Sequence, residues 1–127
     1  MPGEAPLPSG AEAFRAGRIV VVDWRGDALP KEPNKLRPAV VVSDDGLFVP
    51  EYPNVIVVPL TDDERLVIKT LSLSIQPSSE NGCTNPCWAV AHLVTTASRQ
   101  RLRATSSAVT EEQLAAIRHR LALAIGA

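Results

Sequence analysis

The chain has 127 residues, 45% of them hydrophobic, and a formal net charge of −1. That length suits a single domain with a real core. The slightly acidic balance excludes a protein that coats nucleic acid non-specifically but leaves room for a small basic groove, and no apolar run approaches the ~20 residues that a membrane span needs.

Residues 1–13 are rich in Pro and Gly and lack the basic and apolar regions of a signal peptide. They read as a flexible leader before one domain over residues 14–127. A reduced, cytoplasmic protein is expected. Residues 18–24, Arg18-Ile19-Val20-Val21-Val22-Asp23-Trp24, are dominated by β-branched side chains and predict a strand. Gly26 and Pro30 turn the chain away.

Next comes Lys31-Glu32-Pro33-Asn34-Lys35-Leu36-Arg37-Pro38, which runs directly into Ala39-Val40-Val41-Val42-Ser43. A charged, proline-bounded loop thus feeds an apolar strand, predicted over residues 38–43. Pro38 biases Arg37 toward extended geometry, so a guanidinium is held at the junction. A rigidly placed arginine beside a polar loop suits bidentate grip of a phosphate or carboxylate. The plainer reading is an arginine whose stem lies along a strand start.

Asp44-Asp45-Gly46 is turn chemistry, and residues 47–52 read as an irregular piece. Residues 54–60 predict a third strand, closed by Thr61 and an acidic turn. Residues 69–75 alternate polar and apolar, predicting a half-buried strand with Leu71, Leu73 and Ile75 on one face. Residues 76–86 form a polar loop, and residues 87–94 predict a fifth strand. Residues 95–103 fit either a short helical turn or a strand. If they are extended, Arg99, Arg101 and Arg103 share one face, guiding an RNA backbone, binding an acidic partner or simply facing solvent. Cys83 and Cys87 are spaced C-x3-C with no second ligand pair nearby, which points away from zinc. Trp24 and Trp88 are assigned to a core or an interface. Thr110, Glu111, Glu112 and Gln113 fit a capping box. Leu114, Ile117, Leu121 and Ala124 or Ile125 give the helix that follows an apolar stripe, and Gly126 stops it. Short strands with Pro/Gly turns and one closing helix predict a mainly β fold, a small bent sheet or barrel.

Gly17-Arg18-Ile19-Val20-Val21-Val22-Asp23, then Arg37-Pro38-Ala39-Val40-Val41-Val42-Ser43, then Val57-Val58-Pro59-Leu60-Thr61 together resemble the MazF/PemK/Kid toxins of type II toxin–antitoxin systems. The closing capped helix is similar too, and the likeness spans roughly residues 14–126. It implies an SH3-like β-barrel, homodimeric, and a metal-independent endoribonuclease with no cofactor. The implied partners are single-stranded mRNA and a neutralising antitoxin.

RNA brings its own nucleophile, the 2′-hydroxyl. The protein then needs a base for that proton, a cation for the crowded phosphate and a donor to position it. Arg37 suits the cation. Thr61 suits the donor, or serves as a turn-capping hydroxyl. Glu32 matches a family position that bears on activity and suits the base, or is a solvated loop charge. Lys31, Asn34, Lys35, His92, Arg99 and Arg101 are the candidate RNA contacts. In one respect the chain departs from the family: many members carry an Asp-Gln pair where this chain has Ala91-His92, sometimes with an upstream Arg where it has Ala89. His92 either replaces the missing proton-transfer group or is satisfied by its neighbours. Two other readings therefore stand beside the enzyme. One is a CcdB-like toxin that inhibits DNA gyrase by binding it. The other is a non-catalytic member that binds RNA or antitoxin.

Overall fold

The structure is a computed structural model that describes residues 7–23 and 36–127. Among the described residues seven strands, β1 (Ile19–Asp23), β2 (Leu36–Val41), β3 (Asn54–Thr61), β4 (Ser72–Ile75), β5 (Cys87–Val90), β6 (Thr95–Ser98) and β7 (Leu102–Arg103), precede one α-helix, α1 (Glu111–Ala124). All pairings are antiparallel, in the order β4-β5-β3-β2-β1-β7, with β6 also on β3. β5 and β6 pair with different stretches of β3, at 60–61 and 54–57. Among the described residues β4 and β7 end the path without pairing to each other, so the sheet is bent but open, not the closed barrel expected.

The apolar runs of β2 and β3 arise because both sheet faces are buried. Ile19, Val40, Val42, Val58 and Leu60 form one core with Ile75 and Ile117. Val20, Val22, Ala39, Val41, Val55 and Val57 form a second with Ala97 and Leu102. Strict alternation splits the two sets. Helix α1 covers the first. Its capping box is present: Gln113 N donates to Thr110 Oγ1 at 3.0 Å, and Thr110 N to Gln113 Oε1 at 2.9 Å. Arg118 ties the helix to the sheet, donating from Nε to the Val42 carbonyl at 3.1 Å.

Several boundaries differ from expectation. The predicted stripe seats Leu114, Ile117 and Leu121, but Ile125 is 76% exposed because the helix outruns the sheet beneath it. Residues 69–71 form a 3-10 turn before β4, and the Ile68 amide donates to Ser72 Oγ. Leu71 therefore lies outside the strand. The predicted fifth strand stops at Val90. A 3-10 turn, Ala91–Leu93, then shifts the chain from β5 to β6. Residues 95–103 are both of the expected alternatives in sequence: strand, 3-10 turn at Arg99–Arg101, then strand. The three arginines therefore do not alternate along one extended face. No helix is long and apolar enough to cross a membrane among the described residues.

Candidate functional site

The site follows from two prolines. The β2–β3 ladder pairs Val41 with Val57, Val40 with Val58 and Ala39 with Pro59. One step further the register would set Pro38 against Leu60, and one more, Arg37 against Thr61. Neither Pro38 nor Pro59 has an N–H to give. The ladder ends there. Past this point β3 pairs on its other edge, Leu60 with Ala89 and Thr61 with Trp88, while β2 keeps pairing with β1, Arg37 opposite Val22. The strands part and a cavity of about 450 Å³ opens between them, lined by Arg37, Pro38, Leu60 and Thr61. Arg37 is thus an internal residue of β2, not its first, and is half-buried.

Residues 81–87 form the facing wall, with Ile19, Val21, Thr105 and Ser107 below. Asn81 organises that wall. Its side chain is 3% exposed. Oδ1 accepts from the amides of Ser78 at 3.0 Å and Cys83 at 2.9 Å, and Nδ2 donates to the Gln76 carbonyl at 2.8 Å. The amide of Ala108 donates to the Glu80 carbonyl at 2.8 Å, fastening this loop to the segment before α1. Gly82 has φ +64°, and a Cβ there would run into Ser107 Oγ. The Thr105 hydroxyl donates to the Ile19 carbonyl, securing the floor.

Thr61 is 5% exposed. Its Oγ1 accepts from the Asp63 amide at 3.0 Å. The turn-capping role is therefore present, and it leaves the hydroxyl proton to donate elsewhere. The Asp63 carboxyl is held below its usual range by hydrogen bonds from Arg65, side chain first and then backbone, with a smaller contribution from the charge of Arg37. Arg65 grips it at 3.0 Å from Nε and 2.9 Å from Nη2. Asp62, in contrast, lines the cavity.

The fold thus brings Arg37 and Thr61 to one cavity. Glu32, Lys31, Asn34, Lys35 and Trp24 lie outside the described residues. His92 sits in the 3-10 turn against α1, away from the cavity lining, with Nδ1 buried and unpartnered among the described residues. Arg99 is spent on structure: Nε donates to the Tyr52 carbonyl at 2.6 Å, and Nη2 to those of Val49 at 2.9 Å and Phe48 at 3.1 Å. Arg101 is half-buried, and neither arginine lines the cavity. Trp88 is half-buried on β5, opposite Thr61 and Ser74. Sequence reasoning passed over Asp62, Asn81 and Asn85 as cavity residues. Only the position of Asp62, directly after Thr61, offered a local signal.

Residues 15–125 match the family described as PemK-like, MazF-like toxin of type II toxin–antitoxin system. The chain belongs to that family. Solved structures agree on the fold of this PemK/MazF-family toxin. An endoribonuclease in complex with its cognate antitoxin, from a mycobacterial species, superposes with a TM-score of 0.67 at 20% identity, covering 88% of this chain and 94% of that one. The Mycobacterium tuberculosis toxin MazF-mt6 gives 0.67 at 17%, covering 86% and 96%. MazF from Deinococcus radiodurans gives 0.66 at 19%, covering 97% and 100%. No curated protein matches the sequence. Ala91 of this toxin is wholly buried.

Proposed function

We propose that this chain is a type II toxin that cleaves single-stranded mRNA as a metal-independent, sequence-specific endoribonuclease. The observation that carries the reading is the meeting of Arg37 and Thr61 where the two-proline break parts β2 from β3. In this reading the RNA 2′-hydroxyl attacks the adjacent phosphorus. Arg37 binds the phosphate with its fork of donors and stabilises the charge that grows on it. A guanidinium is a donor with no acceptor, so Arg37 does not act as the base. Thr61, already fixed through the Asp63 amide, donates its hydroxyl proton to a phosphate oxygen. Glu32 takes the 2′-proton. Lys31, Asn34 and Lys35, in the sequence before Arg37, meet the RNA, and Arg101 adds positive charge outside the cavity. As the P–O2′ bond forms the P–O5′ bond breaks, the leaving 5′-oxygen takes a proton from water, and the products are a 2′,3′-cyclic phosphate and a 5′-hydroxyl. The toxin works as a homodimer in the cytoplasm, is neutralised by a cognate antitoxin and folds in the SH3-like manner of its family.

One experiment tests this first. Long single-stranded RNA is incubated with the purified toxin in EDTA, beside Arg37→Ala. Cleavage by wild type, none by the variant and a cyclic or 3′-phosphate on the upstream fragment are expected. Glu32→Gln and Asp62→Asn, side by side, decide which carboxylate is the base. No cleavage of several unrelated RNAs refutes the enzyme reading. The second reading, gyrase binding through the helix end, has one observation in its favour: Leu123 and Ile125 there are 50% and 76% exposed. A supercoiling assay checks it.

A further inference from the structure

We propose that Cys83 and Cys87 are a peroxide-responsive dithiol, oxidised within one chain to a disulfide in the wall of the Arg37–Thr61 cavity. The chain has 2 cysteines, and both line this cavity. Both are reduced and half-buried, with their Sγ atoms 3.9 Å apart. A disulfide sets its sulfurs about 2.05 Å apart, so the bond needs an approach of roughly 2 Å, within the reach of side-chain rotation and a small loop shift.

Two separate devices hold the sulfurs close before any oxidant arrives. Cys87 is fixed in β5 by its pairing with Ile75 of β4. Cys83 is fixed by Asn81, whose Oδ1 accepts the Cys83 amide and whose carbonyl accepts the Cys83 thiol at 3.7 Å. Gly82, in the left-handed region, makes that turn possible. Loop closure is therefore largely complete in the reduced fold, so forming the bond orders little further chain.

The two thiols have different roles. Burial first, and then the neighbouring Cys83, push the Cys87 thiol up to about 12. Cys83 lies on the loop outside the β4–β5 ladder that fixes Cys87, and is the sulfur that attacks. Its thiolate displaces on one peroxide oxygen: the S–O bond forms, the O–O bond breaks, and hydroxide leaves and takes up the thiol proton as water. Cys83 is then a sulfenic acid. Cys87 attacks that sulfur, the S–S bond forms, the S–O bond breaks, and hydroxide leaves with the Cys87 proton as a second water. Two thiols lose two electrons in all, and hydrogen peroxide is reduced to two waters.

The test uses the folded full-length toxin with hydrogen peroxide. Wild type should lose both thiols together, give a peptide joining Cys83 to Cys87 that is lighter by two hydrogens, run as a single chain on a non-reducing gel and regain both thiols with dithiothreitol. In Cys87→Ser, Cys83 should stop at a sulfenic acid that dimedone traps. In Cys83→Ser, Cys87 should react at least tenfold more slowly than the pair. Circular dichroism verifies that both variants fold, and the wild-type result stands without them. Disulfides between chains, direct passage to sulfinic acid, or thiols untouched by peroxide while the unfolded chain reacts would each overturn the proposal.

Discussion

Replacing Thr61 by valine and by serine separates what its hydroxyl does from what its methyl does. The side chain is 5% exposed and its Oγ1 accepts the Asp63 amide at 3.0 Å. Valine keeps the shape and removes the oxygen. A buried amide left without a partner costs about 1–3 kcal/mol. Asp63 is only half-buried, so water can replace part of that bond and the loss falls near the low end, about 1 kcal/mol. For a chain of 127 residues this lowers Tm by roughly 3–6 °C. Serine keeps the oxygen and drops a buried methyl, which also costs about 1 kcal/mol. The two variants are therefore matched in stability and differ in whether the hydroxyl is present. Losing a donor to the phosphate lowers cleavage roughly 10²–10³-fold. Valine should show that loss in a fluorescent RNA assay, and serine should remain within a few-fold of wild type. A folded valine variant that cleaves like wild type refutes the phosphate role. Serine and valine variants equally impaired would refute the hydroxyl as the operative group.

Two other predictions concern stability. Ile117, wholly buried between α1 and the sheet, should cost about 2–5 kcal/mol on change to Ala, read as a lower urea midpoint at unchanged m-value. The Asp63 carboxyl titrates below its ordinary 3.8 because Arg65 hydrogen-bonds it. Its contribution is present above the unfolded pKa and fades as pH falls through the lower folded value. Asp63→Asn should therefore lose stability relative to wild type at pH 7 and close the gap below about pH 4. A gap that persists unchanged at pH 2 would refute the assignment.

The sequence showed those features that rest on local chemistry. β-branched runs marked β1, β2 and β3, and the Thr110–Gln113 box marked the start of α1, because each is decided within a few residues. The 3-10 turns at 69–71 and 91–93 escaped notice. In the first, alternation suggested a strand, while the Ile68 amide had a nearer acceptor in Ser72 Oγ. In the second, an apolar run gave no sign that the chain must pass from β5 to β6 along one edge of β3. Arg37 and Thr61 were each visible as candidates. Their meeting depends on cross-strand register, set by β2 and β3 over their whole paired length. Arg99 was read as a free cation, but its partners lie 47 to 51 residues away, and no local pattern reports such a contact.

That arginine also shapes how this surface can change. Arg99 holds the segment around Phe48, Val49 and Tyr52 through main-chain oxygens alone, and every residue type supplies that oxygen. The clamp is indifferent to the side chains it carries. Leu47 and Val49, 78% and 43% exposed, can be exchanged freely while the loop keeps its course, provided residue 99 does not change. Variation on this face is therefore inexpensive for the fold, and a single arginine beneath it allows the chain to present new outer surfaces on an unaltered frame.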